Sequence, residues 1–278
     1  MKILVTGAGG FLGRGIVKKL LDNGVDVIAT DVQNNNIDQR AEIKIGDIFS
    51  LQKPYEYFGK PDVLLHLAWR NGFVHNAETH IEDLPKHDAF VKKMIDEGVK
   101  KCVVMGTMHE IGFIEGSIDE NTPCKPMTLY GIAKNALRQS LELYTENKKV
   151  DFMWLRGYYI VSNDANGASI FSKIVQAVNN GQIEFPFTMG INQYDYLDYE
   201  DFCKMTVASV LQNEVLGIIN ICSGRPEKLS DRVERFIKEN NYDINLKYGF
   251  FPDRPYDSKA VWGNDNKIRK IMNCIDIE

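Results

Sequence analysis

Chemistry first suggests itself in the run Tyr130-Gly131-Ile132-Ala133-Lys134. Four residues apart on a helix, a phenol and an ammonium project from the same face. A free tyrosine titrates near pH ~10, and bringing it to about 7 takes roughly 4 kcal/mol of added phenolate stabilisation. A neighbouring ammonium is a natural source. Thr107 follows the apolar run Cys102-Val103-Val104, where a hydroxyl can hydrogen-bond a reacting oxygen and turn it toward Tyr130. Taken alone, the Tyr130 and Lys134 spacing also fits a solvated helix face.

A second pattern gives that pair a context. Thr6-Gly7-Ala8-Gly9-Gly10-Phe11-Leu12-Gly13 lies between an apolar strand pattern and a helical one. In such a turn Gly7 makes the sharp reversal, Gly10 lets a pyrophosphate approach the backbone, and Gly13 lets the helix lie close to the sheet. Phe11 and Leu12 open that helix, whose first N–H groups and positive end suit an anion. Asp31 ends the next strand pattern, eighteen residues after Gly13. Its carboxylate can accept both hydroxyls of a ribose and would repel a 2′-phosphate, so the pattern favours NAD over NADP. Arg14 is a nearby cation that could tolerate the phosphate. The positive nicotinamide ring of an oxidised cofactor would then join Lys134 in lowering Tyr130.

These residues must be held by a sheet. Ile3 to Val5, Val25 to Ala29, Ile43 to Ile45, Val63 to Leu67 and Cys102 to Val104 are short strand-like runs separated by helical patterns, which predicts a parallel, doubly wound α/β sheet. Leu12, Ile16, Val17, Leu20 and Leu21 mark the first helix. A longer one is expected over Met127 to Glu146, followed by a buried strand at Phe152 to Leu155. Beyond Arg156 the chain is turn-rich, and a small irregular C-terminal lobe is expected. Helices are read at Ile170 to Val178, Asp201 to Leu211 and Asp231 to Glu239, and a strand returning to the sheet at Gly217 to Ile221. The expected division is residues 1–158 for the dinucleotide domain, with returning segments near 190–222, and 159–278 for most of the lobe.

The 278 residues are 44 % hydrophobic and 26 % charged, enough for a core without metal or disulfide support. A net charge of -5 offers no basic field for nucleic acid or an anionic membrane surface. Five widely spaced cysteines without a CxxC pair fit reduced thiols in the cytoplasm, and no run has the length of a signal peptide or membrane span. His75, His80 and His87 form no tight ligand pair, so no metal is expected.

Together, Thr6 to Gly13, Asp31, Gly46-Asp47-Ile48, Asp62 to Ala68, Thr107 with Gly112, Tyr130 with Lys134, Leu155-Arg156 and Asp195-Tyr196 resemble the extended short-chain dehydrogenase/reductase family, in its branch of sugar-nucleotide epimerases, dehydratases and 4-ketoreductases. The resemblance spans nearly the whole chain and implies a Rossmann-type fold. It further implies that Asp47 and Ile48 contact adenine, Leu67 and Ala68 line the cofactor groove, Thr107 holds the substrate oxygen, Tyr130 is the acid/base, and Lys134 binds the nicotinamide ribose. A homodimer through the tyrosine helix is expected on the same ground.

Three departures narrow the activity. Met108-His109 replace the Asp-Glu that dehydratases carry after the threonine, which disfavours dehydration; Tyr159 and Tyr194 stand where relatives often have Asn and Arg for the nucleotide phosphates. Arg225 and Arg254 are the remaining candidates for the diphosphate. His109 is a candidate second acid/base or sugar-hydroxyl ligand. The expectation is an NAD(P)-dependent 4-ketoreductase of a 4-keto-6-deoxyhexose nucleotide. A nucleotide-sugar 4-epimerase is the alternative, and a dinucleotide-sensing protein without catalysis is the second.

Overall fold

The computed structural model describes residues 1–252 and 258–277. In chain order its elements begin β1 (Lys2–Thr6), α1 (Phe11–Asp22), β2 (Asp26–Asp31), β3 (Glu42–Ile45), α2 (Pro54–Tyr57), β4 (Val63–His66), α3 (Thr79–Glu97), β5 (Lys101–Thr107), β6 (Gly116–Ile118) and α4 (Leu129–Thr145). They continue β7 (Asp151–Gly157), β8 (Tyr159–Val161), α5 (Ile170–Asn179), β9 (Glu184–Pro186), β10 (Gln193–Asp198), α6 (Tyr199–Leu211), β11 (Gly217–Ile221), β12 (Pro226–Lys228), α7 (Leu229–Glu239), β13 (Asn245–Lys247), β14 (Ala260–Gly263) and α8 (Asn266–Cys274).

Seven strands make one sheet in the order β11-β7-β5-β4-β1-β2-β3, and every pair in it is parallel. The chain winds outward from β1 through β2 and β3, then crosses back to β4 and runs the other way. That reversal opens a crevice at the C-terminal ends of β1 and β4, the position where such sheets take ligands. Central strands of this kind are covered on both faces and must be apolar throughout. Accordingly every residue of β4 and β5 is buried.

On one face Ile16, Val17 and Leu20 of α1 pack with Phe202 and Val207 of α6 and Ile268 of α8; on the other, Phe90, Val91 and Met94 of α3 pack with Leu137 and Leu141 of α4 and with Trp154. Helix α4 starts at Leu129, two residues later than the pattern suggests, because the Thr128 hydroxyl caps it by accepting from the Gly131 N–H.

The C-terminal segment is more regular than expected. A second sheet runs β12-β10-β14-β6 with β8 alongside β10, and β9 pairs with β13. Strands of three or four residues are too short to carry a readable alternation. Phe171, Ile174, Phe187, Val233 and Phe236 form a separate core there. Chain order does not follow the two sheets. β6, from before residue 158, pairs with β14, and β11, from well after it, completes the large sheet. Asp195, fully buried, ties β10 to the segments beside it by accepting from the Ser223, Gly224 and Gly263 N–H groups and the Ser223 hydroxyl.

Candidate active site

The turn after β1 is built around glycine. Gly7 has φ +69°, and a Cβ there would sit 2.7 Å from the Ala68 nitrogen; at Gly13 it would sit 2.1 Å from the Gly7 carbonyl oxygen. The turn is thereby pressed against Leu67 and Ala68 at the end of β4, whose N–H groups donate to the Thr6 carbonyl and hydroxyl. Gly10 precedes α1 with no side chain capping the helix and no acidic residue in its first turn, so the N-terminal field at Phe11 and Leu12 is unopposed.

Asp31 stands beside this turn, accepting from the Gly9 N–H (3.0 Å) and the Val32 N–H (2.7 Å), one on each oxygen. Each oxygen retains a lone pair for a ribose hydroxyl. The next residues, Val32-Gln33-Asn34-Asn35-Asn36, contain no cation. Arg14 is paired with Asp164 and Arg40 with Asp38 and Asp22, so both of these arginines already have counterions. The cradle fits a dinucleotide whose adenosine ribose carries two hydroxyls. Further along, exposed Asp47 caps the short helix Ile48–Ser50 by accepting from the Phe49 N–H, while the Ile48 side chain is turned into the core.

Thr107 ends β5 and Tyr130 lies in the first turn of α4. The Tyr130 phenol lies beside Thr107, whose hydroxyl accepts from the His109 N–H at 3.3 Å. Lys134, one turn on, is buried; its Nζ donates to the Met105 carbonyl at 2.7 Å and lies 4.0 Å from the centre of the Trp69 ring. Burial pushes the Lys134 ammonium down to about 7, with Glu110 opposing. Burial raises the Tyr130 phenol well above its ordinary value, and the neighbouring Thr107 only partly offsets it. Burial at this position thus favours the neutral phenol.

The model of the NAD dependent epimerase/dehydratase family matches residues 3–222. A relative from Aggregatibacter actinomycetemcomitans, a dTDP-6-deoxy-L-talose 4-dehydrogenase (NAD(+)), is 42 % identical over 95 % of this chain and 99 % of its own. The chain belongs to the NAD dependent epimerase/dehydratase family. Two solved structures share the fold. The UDP-glucose 4-epimerase of Thermotoga maritima with UDP-glucose superposes with a TM-score of 0.83 at 23 % identity, over 97 % of this chain and 92 % of that one. The UDP-glucose 4-epimerase of Thermus thermophilus in complex with NAD gives 0.79 at 18 %, over 97 % and 92 %.

Three features beside Thr107, Tyr130 and Lys134 escaped the sequence reading. Glu110 is fully buried behind Thr107, accepting from the Thr107 N–H (2.7 Å) and the Trp154 indole (2.9 Å), with Arg156 and Arg138 at 3.6 and 3.7 Å. The Thr-x-x-Glu spacing of a capping box was its available signal. Trp69 is the second, donating to His80 Nδ1 at 3.0 Å; the ring is thereby neutral, with Nε2–H left to donate to the Val74 carbonyl at 3.0 Å.

The third is the gathering of the histidines, of which the sequence singled out His109 alone as a site candidate. All five histidines of the chain, His66, His75, His80, His87 and His109, converge within three ring contacts of Tyr130. His87 is held down to about 3 and His109 to about 4, both by burial first, and His66 and His75 are lowered for the same reason. Among the described residues no three His, Cys, Asp or Glu side chains are grouped to hold a metal.

The diphosphate candidates are less well gathered. Arg225 is exposed on the turn between β11 and β12, and Arg254 lies outside the described residues. Tyr159 and Tyr194, the two departures from the family pattern, face each other with ring centres 4.7 Å apart.

Proposed function

We propose that this protein is an NAD(H)-dependent oxidoreductase of a nucleotide-diphosphate sugar, exchanging a ketone and a hydroxyl at C4 of a 6-deoxyhexose. The observation that carries this reading is the placing of Thr107, at the C-terminal end of β5, beside Tyr130 in the first turn of α4, with buried Lys134 one turn on. The activity printed for the 42 %-identical relative supports it over the whole chain length.

In this reading Gly7, Gly10, Phe11, Leu12 and Gly13 hold the pyrophosphate, Asp31 the adenosine ribose, Asp47 and Ile48 the adenine end, and Leu67 and Ala68 the groove wall. Bound NAD(H) supplies the hydride exchange with the sugar carbon. Thr107 orients the sugar oxygen. The Tyr130 phenol, kept protonated by burial, gives its proton to that oxygen in reduction and takes it back in oxidation. Lys134 holds the nicotinamide ribose, and its ammonium favours the phenolate in the oxidative direction. The neutral imidazoles around Tyr130 add no charge that would compete. Arg225 and Arg254 serve the diphosphate, and residues from 159 onward supply most of the sugar side.

A homodimer through α4 is part of the proposal, supported by the exposed apolar Ile132 (42 %) and Leu143 (73 %) on that helix. Cytoplasmic residence is supported by cysteines left as free thiols.

The test is Tyr130→Phe, assayed by absorbance at 340 nm with NADH and 4-keto-6-deoxyhexose nucleotides. Turnover should fall on the order of 10²–10⁴-fold while NADH affinity stays within about twofold. Undiminished turnover would end the catalytic assignment. Inversion at C4 without net change at 340 nm would make the enzyme an epimerase instead.

A further inference from the structure

Two of the clustered histidines differ from the others. His66 uses both ring nitrogens, on the Thr6 hydroxyl and on His87, and His80 uses both, on Trp69 and the Val74 carbonyl. Among the described residues the ring nitrogens of His75 and His109 have no hydrogen-bond partner, although both rings are half-buried.

Both are fixed beside the proposed acid/base. The Tyr130 N–H donates to the His75 carbonyl at 2.9 Å, and the His75 ring stacks on the phenol with centres 5.6 Å apart at 13°. The His109 backbone is pressed onto α4, where a Cβ on Gly131 would lie 2.4 Å from its carbonyl oxygen. Its ring is 4.4 Å from that of His75 and 6.1 Å from that of Tyr130.

An uncharged imidazole offers one donor and one acceptor. Two side by side match neutral hydroxyl groups. A phosphate or carboxylate would call for cations and more donors. The oxygen at the reacting carbon meets Tyr130 and Thr107. Of the two neighbouring ring carbons in a 6-deoxyhexose, C3 carries a hydroxyl and C5 carries the C6 methyl, so a polar pair flanking Tyr130 suits the C3 side.

We propose that His75 and His109 form the subsite that recognises the hydroxyl beside the reacting carbon and thereby determine specificity for the sugar. The proposal rests on the ketoreductase reading above.

The experiment compares a 4-keto-6-deoxyhexose nucleotide with its 3-deoxy counterpart, using wild type, His75→Leu and His109→Leu. Wild type should prefer the 3-hydroxy substrate in kcat/KM by on the order of 10–100-fold, because rejecting the analogue follows from leaving buried polar groups unpaired. Each leucine variant should lose about that factor on the 3-hydroxy substrate and less than about threefold on the 3-deoxy one. Equal losses on both substrates, or none on either, would overturn the subsite. Should the leucine variants fail to fold, the wild-type comparison carries the test, and absence of a preference overturns the proposal. A wild type that binds NADH yet reduces neither compound sinks the parent reading, which distinguishes that failure from failure of the subsite alone.

Discussion

Replacing Trp69 with leucine tests how the site controls a buried charge. The Lys134 Nζ lies 4.0 Å from the Trp69 ring centre and donates to one carbonyl, and the surrounding imidazoles add no negative charge. A desolvated cation–π contact of this kind is worth about 2 kcal/mol. At 1.36 kcal/mol per pH unit, its loss lowers the Lys134 titration by about 1.5 units. Wild-type Lys134, held near 7, is about half charged at neutral pH; the variant would be roughly 3 % charged there. The profile of kcat/KM against pH reports the free enzyme's groups. Its alkaline limb should move about 1.5 pH units toward acid in Trp69→Leu, and by less in Trp69→Phe, which keeps a weaker ring. A limb that stays within about 0.3 units of wild type would refute the argument, whatever happens to the absolute rate. A purely structural loss would lower the whole profile without displacing it.

The remaining predictions concern cofactor and stability. Gly13→Ala places a methyl 2.1 Å from the Gly7 carbonyl oxygen, so the turn must open; NADH affinity, read by calorimetry, should drop at least tenfold with about 1–3 kcal/mol of stability lost. Asp31→Asn removes the charge that repels a 2′-phosphate while keeping a hydrogen-bonding side chain. The NADH over NADPH preference in kcat/KM should narrow about tenfold or more, and an unchanged ratio would deny Asp31 that role. Because burial holds His87 near 3 and His109 near 4, the unfolded chain binds more protons than the folded one below about pH 6.5. Their contribution is therefore complete above pH 6.5 and is lost as pH falls toward 3. Melting temperature should decline through that window, and His87→Gln should make the decline shallower.

What the sequence disclosed follows from how local each signal is. The turn Thr6 to Gly13 is contiguous, and its glycines answer to contacts within the turn or with the adjacent strand end, so the spacing alone announces it. Tyr130 and Lys134 are neighbours by helix geometry. Strand and helix patterns in the large sheet were readable because its central strands are almost wholly apolar. The histidine cluster was opaque, since His66, His75, His80, His87 and His109 come from a strand end, a loop, helix α3 and the short helical turn Met108–Glu110, and meet only through the winding of the sheet. Helix α3, which carries two of them, also contains Pro85, a residue that local rules count against a helix. The sheet containing β10 was hidden because β10 mixes polar residues into its run and its partners β6, β8, β12 and β14 have only three or four residues each, and Glu110 resembled a polar loop residue until its burial behind Thr107 appeared.

The exchange of β6 and β11 between the two sheets bears on how the chain is made. When residue 157 has been synthesised, β7 can pair with β5, yet its other edge waits for residues 217–221. That edge belongs to a strand whose middle five residues are buried, Trp154 among them, and a bare apolar edge is a template for pairing with other chains. β6 waits longer still for β14 at residues 260–263. Truncation near residue 158 would therefore leave two unfinished sheet edges instead of a free-standing domain, and nascent chains of intermediate length are the species expected to need a chaperone.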